Sequence, residues 1–468
     1  MIVMKFGGTS VGTGERIVRV ARIAGKVAEE RGSPPVVVVS AMSGVTDALR
    51  RAATTAASGD KQTFHLIRDE LEQRHAQAIE DCVTDVERAR GLRAEIESLL
   101  NSFESLCQAI HTLGELTPRG MDAVSGLGER LSARVVTAAM RSQGLAAQTV
   151  EATEIIVTDD SYGAAAPLME EIRRKVKAVL LPLIEGGVLP VVTGFIGATM
   201  QGVQTTLGRG SSDYSATILG HCRPADEVWI WTDVDGVMTA DPRIVPDART
   251  LPSISYAEVA ELSYFGAKVL HPRTIQPVSA LGIPVRVLNS FNPDHPGTLI
   301  CNEVSQTPII KGITAIRDLS IVTIEGRGMQ GVPGVAGRVF SAVARSGASV
   351  LMFTQSSSEQ SICLVIRTVD TDAAVAELEK ELELELARGD VDRVRKQDQV
   401  AIIAVVGAGM LGRPGIAWRV FGALAEQDIN IISIAQGSSE YNLSMVVSQD
   451  DVDEGVRAIH RQFELHAI

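Results

Sequence analysis

Residues 33–48 read SPPVVVVSAMSGVTDA, with four consecutive valines between a Pro-Pro pair and a Ser/Gly/Thr-rich turn. A half-exposed strand alternates apolar and polar residues. An unbroken β-branched run instead fits a strand covered on both faces, as in a parallel sheet flanked by helices. Similar runs return at 189–192, 227–231 and 283–288, and helical periods fill the intervals, as at 17–31 and 168–184. The alternation implies an α/β layered fold with helices over a mainly parallel sheet. Residues 60–115 are polar, rich in Glu, Arg and Gln, and helical in period without a strand, so they read as a helical excursion.

The 468 residues exceed one ordinary core, and two to four domains are expected. A composition 45% hydrophobic and 22% charged suits a soluble globular protein. The net charge of −13, with no Lys/Arg run, argues against nucleic acid or an anionic membrane as the main partner. Cys82, Cys107, Cys222, Cys301 and Cys363 are scattered and show neither zinc-ligand spacing nor a disulfide framework. No apolar stretch reaches the roughly 18 residues of a membrane span, and Ile2–Met4 enter a strand without a signal-peptide pattern. A cytoplasmic multidomain protein is expected.

Beyond about residue 305 an internal repeat sets in. IVTIEGRGMQGVPGVAGRVFSAVA starts at Ile321 and IIAVVGAGMLGRPGIAWRVFGALA at Ile402, 81 positions on, with about 18 of 48 ungapped positions identical. Each copy reads strand, Gly-rich turn, Pro at the first helical position, amphipathic helix, two strands and an acidic helix. Two copies make a duplicated small α+β domain, not a solenoid.

The polar clusters of the first 300 residues sit where strands end and helices begin. They are KFGGTS (5–10), SAMSGVTD (40–47), SGLGER (125–130), TLGRGSSDYS (206–215), WTDVDGVMTADPR (231–243) and FGAKVLHP (265–272). Each alone has a bland reading: a strand-end turn, an Asp-Gly hairpin, a solvated lysine. Together they line the carboxyl edge of an α/β sheet, where ligands bind. Lysines, an arginine, Gly-rich turns that expose N–H groups and carboxylates are the components of phosphoryl transfer. The lysine of KFGGTS precedes its glycines, the reverse of the P-loop order.

These six ordered motifs resemble the aspartate kinases of the amino-acid kinase family, and the duplicated tail resembles their paired ACT domains. The resemblance covers essentially the whole chain. It implies a three-layer αβα kinase domain over residues 1–303, with 60–115 as the helical excursion. Two ferredoxin-like (βαββαβ) ACT domains would follow over 304–390 and 391–468, with 309–316 completing the second sheet. It also implies a monofunctional enzyme that uses ATP to phosphorylate the side-chain carboxylate of L-aspartate, opening the route to Lys, Thr and Met.

By the family pattern, Lys5, Asp213 and Arg209 act in catalysis, and Ser40, Thr46, Glu129 and Arg209 hold aspartate. Lys5, Gly7, Gly8, Ser10, Gly208, Gly210, Ser211, Thr232, Asp233, Met238, Asp241, Arg243 and Lys268 serve ATP. Mg²⁺ bridges phosphates without a dedicated protein site. Met238 stands where some relatives carry Tyr. The ACT pair implies feedback by threonine, lysine or both, through Met329, Gly331, Val332, Gly334, Val335, Ala336, Gln355 and Gln436. It also implies a homo-oligomer, dimer or tetramer, joined through these domains. The alternatives are a kinase for another amino acid and a non-catalytic amino-acid sensor.

Overall fold

The computed structural model describes residues 1–208, 210–267, 270–302, 305, 307–437 and 440–467. The chain divides into two compact units, one holding Met1–Val237, Pro252–Tyr256 and Leu270–Val304, the other Met238–Leu251, Ala257–Val269 and Ser305–Ile468. Residues 238–251 and 257–269, assigned to the kinase part from sequence, thus group with the repeats.

The first unit contains strands β1 (Ile2–Phe6), β2 (Val36–Val39), β3 (Ala147–Val150), β4 (Val157–Thr158), β5 (Leu189–Thr193), β6 (Ile196–Thr199), β7 (Gln204–Thr206), β8 (Glu227–Thr232), β9 (Ser253–Ser255), β10 (Val285–Asn289) and β11 (Thr298–Cys301). Eight of them form a sheet in the order β3-β5-β2-β1-β8-β10-β11-β9. Neighbours are parallel throughout except the antiparallel pair β10 and β11. The valine run is β2, paired on both sides and fully buried. Strands β4, β6 and β7 make a separate small sheet.

Helices α1 (Gly14–Arg31), α2 (Val45–Ala57), α3 (Gln62–Cys82), α4 (Val86–Leu113), α5 (Pro118–Ser125) and α6 (Leu127–Ser142) share one core with Ile2, Met4 and Phe6. The short α7 (Ala152–Ile155) is followed by α8 (Met169–Glu185) and α9 (Ser211–Cys222), which pack together and meet the sheet, α8 at β5 and α9 at β1, β2 and β8. Strand alternation then places Val3 and Lys5 on the opposite face from Ile2, Met4 and Phe6. The stretch 60–115 is the α3–α4 hairpin, its second helix capped by Asp85, which accepts from the N–H groups of Glu87 and Arg88 at 3.0 and 3.1 Å.

The second unit includes most of α10 (Tyr256–Tyr264); α11 (Pro272–Ser279) returns the chain to the first. Its sheet, order β13-β14-β12-β15-β17-β16, is built from β12 (Gly312–Glu325), β13 (Met352–Gln355), β14 (Ser361–Arg367), β15 (Arg393–Val406), β16 (Ser433–Gln436) and β17 (Asn442–Ser448). The two long strands are shared. Residues 312–316 of β12 pair with 402–406 of the second repeat, and 393–397 of β15 pair with 321–325 of the first. Asp318 and Gln399, again 81 positions apart, take positive φ of 58° and 57° at the irregularity between the halves.

The first repeat's helices α12 (Val335–Arg345) and α13 (Thr371–Glu381) cover one half of the sheet, with α14 (Glu383–Arg388) leading into β15. The second repeat's α15 (Ile416–Ala425) and α16 (Val452–Gln462) cover the other half. The reading of Pro at the first helical position is corrected. Gly334 and Gly415, with φ of 90° and 87°, are the N-caps, and Pro333 and Pro414 lie one residue outside. The cap itself must be a residue that tolerates positive φ, which glycine does and proline, with its fixed negative φ, does not.

Candidate active site

Lys5 lies in β1 and points to the side of α9. Its Nζ sits 2.6 Å from Asp213 Oδ1, with Lys5 8% exposed. Asp213 falls in the first turn of α9, where a carboxylate suits the positive end of the helix. After β1 the chain turns sharply, and Gly7 N–H donates to Trp231 O at 3.1 Å. A Cβ at Gly8 would lie 2.9 Å from Ala41 O, so glycine is required for this loop to pass the SAMSGVTD loop.

Both loops open on a cavity of about 420 Å³. From the predicted set, Lys5, Gly8, Ser40, Thr46, Glu129, Gly208, Gly210, Ser211 and Asp213 line it. Glu129 comes from the first turn of α6 and is 3% exposed. Its Oε1 accepts the Ala41 N–H at 3.1 Å, while Oε2 is buried without a hydrogen-bond partner among the described residues. Burial pushes its carboxyl up to about 8, against the pull of the Ala41 N–H and the Lys5 charge. Gly128 permits this approach, since a Cβ there would meet Ala41 Cβ at 2.7 Å. The site therefore offers a cation beside a Gly-rich loop at one side and, at the other, a buried carboxyl group with one oxygen unpartnered among the described residues.

The remaining predicted residues distribute differently. Ser10 is buried, and its hydroxyl shares a 2.8 Å hydrogen bond with Ser290, which ties the loop down. Gly7 backs the loop, where a Cβ would approach Lys5 Nζ to 3.3 Å. Thr232 ends β8 and donates to Asp233 Oδ1 at 3.2 Å. Asp235, the middle aspartate of the same motif, accepts from the Asn289 and Asn292 amides at 2.8 and 3.2 Å and so shapes its loop.

In the second unit, Met238 leans on the core of the second repeat, and Asp241 forks with Arg243 at 2.6 Å. Arg209 and Lys268 lie outside the described residues. Among the repeat positions, Met329 is buried under the first loop, Gly331, Val332 and Gly334 form the loop itself, Val335 and Ala336 open α12, and Gln355 and Gln436 end the edge strands β13 and β16, both exposed.

Sequence reasoning missed several residues here. Ser43, Asp47, Arg50, Phe195 and Ser212 also line the cavity. Arg50 was findable, because it follows Thr46 by one helical turn on α2 and shares its face. Asp122 was harder. This buried α5 carboxylate accepts from Thr206 N–H at 2.9 Å, Thr206 Oγ1 at 2.7 Å and Gly163 N–H at 2.9 Å, fastening the strand that leads into the 208–213 loop.

The amino acid kinase family profile matches residues 1–289, and an ACT domain profile matches 322–382 and again 403–463. Lysine-sensitive aspartokinase 3 of Escherichia coli is 33% identical over 98% of this chain and 98% of its own length. The chain belongs to the aspartokinases of the amino acid kinase family. Solved aspartokinases share its architecture. Escherichia coli aspartokinase III in complex with aspartate and ADP superposes with a TM-score of 0.82 at 31% identity, covering 99% of both chains. The Clostridium acetobutylicum aspartate kinase gives 0.80 at 27% identity, covering 99% of this chain and 100% of the other. A bifunctional aspartokinase/homoserine dehydrogenase of Arabidopsis thaliana is 37% identical over 99% of this chain but 51% of its own. This aspartokinase-family chain thus spans about half the length of such relatives. No described helix is long and apolar enough to cross a membrane.

Proposed function

We propose that the chain transfers the γ-phosphoryl group of ATP to the side-chain carboxylate of L-aspartate, forming 4-phospho-L-aspartate and ADP. One observation carries this reading. A buried Lys5–Asp213 pair beside the Gly7–Gly8 turn shares a cavity with Glu129, whose Oε2 has no protein partner among the described residues. A carboxylate oxygen of aspartate attacks the γ-phosphorus while the bond to the β-phosphate oxygen breaks, and ADP leaves. The acceptor is already an anion, so no base is needed. The difficulty is bringing two anions together, and positioned cations and N–H groups answer it.

Lys5 and the loop amides face the transferring phosphates. Glu129 accepts from the substrate ammonium, which draws its proton off and holds it charged. Ser40 and Thr46 offer hydroxyls, and Arg209 grips a carboxylate in a fork. Thr232, Asp233, Met238, Asp241, Arg243 and Lys268 serve the nucleotide. Among the described residues no group of three His, Cys, Asp or Glu could hold a metal ion. Mg²⁺ carried in on the nucleotide phosphates would supply charge neutralisation there.

The paired ACT domains support feedback by an amino acid. The Escherichia coli aspartokinase III of similar architecture was solved with lysine and aspartate in its T-state, at a TM-score of 0.79 and 32% identity. Lysine, threonine or both act at Met329–Ala336 and Gln355, and the chain pairs through its ACT domains into a dimer or tetramer in the cytoplasm. The deciding experiment incubates the full chain with ATP, Mg²⁺ and a panel of acidic amino acids, following ADP release and trapping acyl phosphate with hydroxylamine. Aspartyl hydroxamate is the expected product, and its absence would overturn the proposal.

A further inference from the structure

The two repeats of the second unit share several loop hydrogen bonds. Gly331 N–H donates to the Glu359 carboxylate at 2.8 Å, and Gly412 N–H, 81 positions later, donates to Glu440 at 2.7 Å. Glu359 and Glu440 take φ of 57° and 53°. Asp392 N–H pairs with Glu325 O at 2.7 Å, and its counterpart Lys311 N–H pairs with Val406 O at 2.8 Å. The Gly-rich loops 326–334 and 407–415 are therefore one design made twice.

The agreement ends at α10. The N–H of Ala408, which opens the second loop's 3₁₀ turn, donates to Glu258 Oε1 at 2.7 Å, and Glu258 is fully buried. One turn along, Glu261 Oε2 accepts the Asn442 amide at 3.2 Å where β17 begins. Buried Lys311 stands close enough to Glu258 for the two charges to act on each other. At the first loop the residue matching Ala408 is Arg327, which is exposed, and its N–H meets no carboxylate among the described residues. The residue matching Asn442 is Ser361, whose N–H goes to a hydroxyl of its own loop, Ser356 Oγ, at 3.2 Å.

We propose that Glu258 and Glu261 of α10 occupy the second repeat's loop as a built-in ligand, leaving the first repeat's loop as the one open to an amino acid. This rests on the reading of the repeats as amino-acid sensors. An amino acid brings a carboxylate to the exposed N–H groups of such a loop. Glu258 supplies the same group from within the chain, so the second loop is filled without an effector. The second repeat then transmits instead of senses. Helix α10 ends at Tyr264, and Lys268 of the proposed nucleotide set follows four positions on in the sequence, so the glutamates fasten the helix that precedes it to the repeat pair. Effector entry at the first loop acts across the shared strands β12 and β15, and the clamp passes the change to that helix. If the clamp is cut, binding at the first loop persists but its effect on turnover fades.

The test uses the full chain, its Glu261→Ala variant, which removes one half-exposed hydrogen bond, and its Glu258→Ala variant, which opens the loop. Calorimetric titration with L-lysine and L-threonine should show one equivalent of effector per native chain, and a second event in Glu258→Ala. The concentration for half inhibition should rise about tenfold in both variants, within the span of a typical allosteric coupling. Without effector, kcat should stay within about twofold, which separates lost coupling from lost folding; Glu261→Ala answers the question if Glu258→Ala does not fold. Two equivalents bound by the native chain, or variants inhibited like the native chain, would overturn the clamp. A native chain that binds neither amino acid would overturn the sensor reading itself, and the clamp with it.

Discussion

Lys5, Ser40, Glu129 and Asp213 come from distant segments of the first unit and meet in one cavity. The loops 326–334 and 407–415 of the second unit are copies of one segment that end in different surroundings. In the first case unlike sequences converge on one chemistry; in the second, like sequences diverge in role. A motif therefore specifies the groups it presents, and the fold decides what those groups meet.

The sharpest way to break this contrast is to remove the group on which the cavity converges. Lys5→Met should lower kcat by roughly a thousandfold or more with the fold retained, as loss of a charge aimed at a developing anion does. Retained kcat, measured beside an unchanged circular dichroism spectrum, would refute the phosphate role.

The α3–α4 hairpin gives a test of stability confined to the first unit. His75 is wholly buried, its Nδ1 2.7 Å from Leu71 O and its Nε2 without a partner among the described residues, and burial lowers its pKa to about 4. Below its unfolded value near 6.5 the unfolded chain takes up a proton that the folded chain refuses. Stability should fall as pH drops from about 6.5 to 4, by about 3 kcal/mol in all. Urea titrations across that range should show the loss, and His75→Leu should flatten it.

Glu129→Gln keeps the hydrogen bond to Ala41 but loses the charge for the substrate ammonium. The aspartate KM should rise about tenfold to a hundredfold, with the ATP KM little changed. In the native chain the aspartate KM should fall as pH rises through about 8, where the raised carboxyl ionises. A flat profile would separate Glu129 from substrate binding.

The smallest expected effect belongs to the repeats. Gln355→Ala should raise the half-inhibiting concentration of lysine or threonine by about tenfold and spare kcat. An identical shift in Gln436→Ala would mean that the two loops sense alike, and would erase the contrast.

The layered fold, the duplication and most of the cavity were legible in the chain because their signals are local. Four valines need no partner to declare a strand covered on both faces, and a repeat is visible wherever two segments match. What the motifs left out was non-local. The hydroxyl of Ser10 pairs with that of Ser290, 280 positions away. Asp122 had no motif to mark it, since its partner Thr206 is 84 positions on. Residues 238–251 fall within the kinase family profile, as the order of the motifs implies, and pack with the repeats.

The sequence by itself determined which chemical groups the chain carries and the two local periods that arrange them into strands and helices. Only the tertiary structure decided that Lys5 is paired, that Glu129 keeps one oxygen unclaimed, and that one of two equal loops is filled by Glu258, 150 positions away. The reason is physical. Burial and pairing depend on which distant segments pack together, and a hydrogen bond or a shifted pKa belongs to that packing and not to the residue that displays it.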